Sequence, residues 1–145
     1  MGKMQKTCSF LGRFFLGAFF IMSAINKIIN WEEAQNKFLA ALNDWNSYLN
    51  KFESLQPIFS SLIPWITTII IVIIACEFLG GLLLILGIRA RLGAFLILIF
   101  FIPTTIIFHA FWLSMGIEKT IELSTFLKNI AIMGGLLYVL AFGSK

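Results

Sequence analysis

One carboxylate, Glu77, stands near the middle of the apolar stretch WITTIIIVIIACEFLGGLLLIL, residues 65–86. At about 1.5 Å per residue this stretch is roughly 33 Å long, enough to cross the hydrocarbon layer of a bilayer. Glu77 is thereby expected near the bilayer midplane, where an ionisable group is retained only if it is paired, protonated or turned to a polar cavity. Few other residues can join it in chemistry: Asn26 and Lys27 at the end of the first apolar run, the single histidine His109, and Lys128 and Asn129 in the last. Depth arithmetic puts Glu77 about 18 Å below the outer end of its span, and Lys27, His109 and Lys128 within roughly 8 Å of theirs. A long lysine side chain reaching inward, or a chain of waters, is then needed to connect them.

These residues narrow the chemistry. One histidine excludes a bis-histidine haem within the chain, and a His–Met haem is disfavoured. His109 with two distant cysteines, Cys8 and Cys76, does not make a zinc set, so no metal site is expected. No C-x-x-C occurs, and both cysteines read as free thiols. A hydrophobic, carbonyl-bearing ligand such as a quinone fits better than a covalent cofactor, since His and Lys near an interface donate to its oxygens while aromatic rings pack its own.

The elements that must position these groups follow from composition. A chain of 145 residues that is 59% hydrophobic and 12% charged, with mean hydropathy +0.94, has too much apolar surface for one small water-soluble core. It reads as an all-α integral membrane bundle of four transmembrane helices, about 10–29, 65–86, 92–113 and 123–142, within one domain. The net charge of +4 lacks any basic run that would track phosphates, so no nucleic-acid partner is expected. The partner expected first is the lipid bilayer itself, and homo-oligomers remain open.

In the first span Arg13, Gly17, Phe20, Ala24 and Lys27 fall within a narrow arc, which should face protein. Arg13 interrupts the run early and no small-residue cleavage pattern follows, so this is read as a span rather than a signal peptide. Between 31 and 62 the apolar residues Phe38, Leu42, Trp45, Leu49 and Phe52 recur at steps of three and four, which predicts an amphipathic extracytoplasmic helix or helix pair lying on the bilayer or capping the bundle. Pro103 should kink the third span, with Thr104 and Thr105 satisfying the freed carbonyl of Ile99. The loop around Glu118, Lys119 and Glu122 leads into the fourth span.

The short turn bearing Arg89 and Arg91 orients the chain with both termini cytoplasmic. The tally is uneven: Lys3, Lys6, Arg13, Arg89, Arg91 and Lys145 inside against Lys27, Lys37, Lys51, Lys119 and Lys128 outside.

Arg13 followed by Asn26-Lys27, the block CEFLGGLLLILGIRARLGA (76–94), His109 and the block FLKNIAIMGGLLYVLAFG (126–143) together resemble the DoxX family of small four-helix membrane proteins. That resemblance implies a bacterial inner-membrane protein. It also implies a membrane subunit of a quinone-linked or redox-defence oxidoreductase complex, with further oxidoreductase subunits as partners. Glu77, His109, Lys27, Lys128, Asn129 and Asn26 would then shape a quinone or proton site. Two other readings stand beside it: a non-catalytic adaptor whose polar residues only register the helices, and a small proton-coupled carrier.

Overall fold

The structure, a computed structural model, describes residues 2–49 and 60–144. Five α-helices make up these residues: α1 (Lys3–Ile29), α2 (Trp31–Leu49), α3 (Ile66–Leu86, entered through a 3-10 turn at Ile63–Trp65), α4 (Ala90–Phe108) and α5 (Gly116–Phe142). Four helical stretches, Lys3–Ile29, Ser60–Leu86, Ala90–Phe108 and Gly116–Phe142, are long and apolar enough to cross a membrane. Large apolar side chains such as Phe15, Met22, Ile71, Leu79, Ile99 and Leu137 are exposed along their flanks. A bundle greasy on the outside and polar at a few interior points is the pattern of a multi-pass membrane protein.

α3 is the central helix, because two adjacent glycines serve two neighbours. A methyl group at Gly81 would lie 2.7 Å from the carbonyl oxygen of Gly17 on α1, and one at Gly80 would lie 2.9 Å from that of Gly93 on α4. No side chain fits at either crossing, so the backbones of α1, α3 and α4 approach as closely as small-residue interfaces allow. The two glycines thus divide between two interfaces, Gly81 facing α1 and Gly80 facing α4. Around them Phe20, Leu84, Ala94, Ile97 and Leu136 close the core, and α5 completes it chiefly against α4. α3 stops at Gly87, which takes the left-handed conformation at φ 70° that a C-terminal stop needs.

Several boundaries differ from those read in the sequence. α1 begins at Lys3 instead of residue 10, since hydropathy finds the span and not the helix, and Gln5 Oε1 accepts from the Gly2 amide to cap an earlier start. α4 ends at Phe108 instead of residue 113. His109 leaves helical geometry (φ −117°, ψ 45°), and the indole of Trp45 on α2 donates to the Ile107 carbonyl at 3.0 Å. The stretch expected as a loop before residue 123 is largely helix, with Glu118 in the first turn of α5, where a carboxylate favours the helix dipole. At Pro103 the Thr104 hydroxyl bonds the carbonyls of Phe100 and Phe101, at 2.7 and 3.2 Å, and not that of Ile99.

α2 turns back at Asn30 and packs Phe38 and Leu42 on Ile66, Ile70 and Ile73, so it caps the bundle instead of lying free on a surface. Phe52, counted in this segment from the sequence, lies outside the described residues.

Candidate functional site

Glu77 is buried, and its carboxylate meets Lys27 directly: the ammonium donates to Oε2 at 2.7 Å and to Oε1 at 2.9 Å, and its third hydrogen goes to Ser23 Oγ at 2.6 Å. Of the two links left open by the depth arithmetic, the lysine side chain reaching inward is the one made, and the reason it spans the gap is directional. Helical side chains lean toward the N-terminus of their own helix. α1 and α3 run antiparallel, so Lys27 leans into the bundle while Glu77 leans toward the α2 end, and each covers part of the gap. Ser23, one turn before Lys27 on the same face, is where a lysine leaning this way arrives. Glu77 lies three residues before Gly80, which packs between Gly93 and Ile97, so in the antiparallel pair it stands at about the mid-length of α4.

Above this pair is a cavity of about 420 Å³ to which all five helices contribute. Phe19, Ile70, Ile73, Phe101 and Phe108 give it apolar walls, and Ala34, Lys37 and Phe38 of α2 cover it. The polar wall is Thr104 and Thr105 from α4 and His109 just past its end, with Thr125 and Asn129 from α5. Asn129 Nδ2 donates to Thr105 Oγ1 at 3.1 Å, and His109 Nδ1 lies 2.7 Å from Glu122 Oε2. At the rim Asn30 Nδ2 donates to Asn26 Oδ1 at 2.9 Å, and Lys37 pairs with Glu33 at 2.6 Å. Among the described residues, no three side chains of His, Cys, Asp or Glu gather as metal ligands.

A family match covers residues 5–142 under the description HR-like lesion-inducing. The chain belongs to the HR-like lesion-inducing family. This overturns the DoxX resemblance drawn from the 76–94 and 126–143 blocks: DoxX is a different family, and small residues at helix crossings are common to closely packed membrane helices in general. The reading as an oxidoreductase subunit falls with it, and the adaptor and carrier alternatives gain no support. No curated protein and no solved structure matches this family member.

Of the six candidates read in the sequence, the fold brings Glu77, Lys27, Asn26, His109 and Asn129 to one cavity and leaves Lys128 out. Lys128 is exposed: about 100° of helix separates it from Asn129, which turns its side chain off the cavity face. The sequence reading had the segment between the first two spans capping the bundle among its alternatives, but it missed Ser23 and Thr125 and treated Glu122 as a loop residue. Ser23 was recoverable as the i−4 neighbour of Lys27; the position of Glu122 depended on how α4 ends.

Proposed function

We propose that this HR-like lesion-inducing family member is a multi-pass membrane protein that binds a small amphipathic molecule in the cavity between Glu77 and α2. The observation that supports this most is a volume of about 420 Å³ with apolar walls and a few convergent polar groups, within the usual range of ligand sites. Small-molecule sites in helical bundles are built in this way, from side chains on facing helices. The Lys27–Glu77 pair gives the cavity a fixed polar floor at mid-membrane depth, which an aliphatic core would not need.

The family's description names an effect and no chemical step; we extend it to this chain in the sense that the lesion-inducing effect starts from a molecule held here. The four spans put both termini at the end opposite α2, and we assign that end to the cytoplasm because Arg13, Arg89 and Arg91 gather there. The bacterial inner membrane expected from the sequence had the DoxX resemblance as its ground and loses it.

The test is mass spectrometry of the chain extracted gently from its host membrane, beside Ile73→Trp, which fills the cavity from its wall. A small molecule held one to one by the parent chain and lost from Ile73→Trp is the expected result. Finding none on the parent, or the same one on both, refutes the reading.

A further inference from the structure

Resting on that binding site, we infer that its ligand carries an uncharged head group that both donates and accepts hydrogen bonds, as a hydroxyl- or amide-bearing amphiphile does, and that His109 is a residue that reads it. The charges around the cavity are already spent on one another. Lys27 has three N–H donors, and all three are used, two on Glu77 and one on Ser23. Lys37 pairs with Glu33 at the rim, and the Glu122 carboxylate is engaged by the His109 ring at 2.7 Å. An anionic head group reaching the floor would have to pull Lys27 from a buried carboxylate, and a cationic one would have to pull Glu77 from Lys27. Either leaves a charge unpaired in a low-dielectric interior, which costs more than the new contact returns.

What remains free is neutral. Asn129 uses one amide hydrogen on Thr105, which leaves its other hydrogen and its oxygen without a partner among the described residues. His109 commits Nδ1 to Glu122, which leaves Nε2 uncommitted on a residue that lines the cavity, and in the tautomer whose Nδ1–H donates to that carboxylate Nε2 is an acceptor. His109, just past the end of α4, and Asn129 on α5 adjoin, with the phenyl rings of Phe19, Phe101 and Phe108 also lining the cavity for an acyl or aryl tail. Glu122 is a positioning residue in this arrangement: it fixes the tautomer and direction of the imidazole without touching the ligand.

The experiment uses the full chain in phosphatidylcholine nanodiscs with 1-octanoylglycerol, octanoate and octylammonium, of equal tail length, each tritiated in turn as probe and each used unlabelled as a competitor of tritiated 1-octanoylglycerol. Saturable binding above empty discs, displaced by unlabelled 1-octanoylglycerol and not by the two ions, is expected. His109→Leu should weaken it about fivefold, one hydrogen bond's worth, His109→Gln should restore part of the loss, and Lys128→Gln should change nothing. Glu122→Gln should weaken binding less than His109→Leu while leaving the fold intact by circular dichroism. Equal displacement by octanoate or octylammonium overturns the head-group class and leaves the cavity reading standing. No loss in a folded His109→Leu overturns the role given to that residue. Absence of saturable binding by all three amphiphiles overturns the cavity reading itself.

Discussion

Removing Lys27 while keeping Glu77 is the sharpest perturbation the structure offers. The Glu77 side chain is 10% exposed and lies 2.7 Å from the ammonium, so Lys27→Met strands a carboxylate without its charged partner. Breaking one side of a buried pair costs about 3–5 kcal/mol. The lysine side chain is 30% exposed, which gives the site some access to water and places the expected loss near the lower end, about 3 kcal/mol. Glu77→Gln should cost less, about 1–2 kcal/mol, because the partly exposed lysine can swing its charge to the rim. The double variant Lys27→Met/Glu77→Gln removes both charges and should recover most of the loss, giving a coupling of at least about 1.5 kcal/mol. Reversible unfolding in mixed micelles of increasing detergent denaturing strength, read by helical circular dichroism, measures all four corners of the cycle. If the double variant is as unstable as the sum of the singles, the carboxylate is not held by the lysine and the account of the cavity floor is wrong.

Gly81→Ala adds a methyl 2.7 Å from the Gly17 carbonyl and should cost about 1–3 kcal/mol and much of the yield, whereas Gly134→Ala, with nothing within 4 Å, should be neutral or slightly stabilising; unfolding of both in the same micelles compares them. Trp45→Phe loses the donor to the Ile107 carbonyl and should loosen α2 by about 1–2 kcal/mol, seen as faster protease cleavage within α2 and no change in the four spans. In a Cys8→Ser/Cys76→Ala background, a cysteine introduced at Asn26 should react with a membrane-impermeant maleimide only from the side opposite the termini. Labelling from the side of the termini would contradict the topology.

Composition alone set the class of this protein. Four apolar stretches of spanning length, an amphipathic segment between the first two, and a carboxylate that must find a partner are all properties of local pattern, and they survive in the folded chain. Even the protein-facing arc of α1 was legible, because Arg13, Gly17, Phe20 and Ala24 obey helical periodicity and are the residues buried. What the sequence could not settle was relative height and direction. Whether Lys27 reaches Glu77 depends on the register of two antiparallel helices, fixed by Gly17 against Gly81, and on both side chains leaning toward each other. Whether Glu122 meets His109 depends on α4 ending a turn early and α5 beginning early, and an indole from α2 helps decide the first. Periodicity is a one-dimensional signal that fixes which face of a helix is apolar. The opposing face, the vertical offset and the end of each helix are set by packing between elements distant in the chain, so only the assembled bundle could bring five of the six candidate residues to one cavity and turn Lys128 away from it.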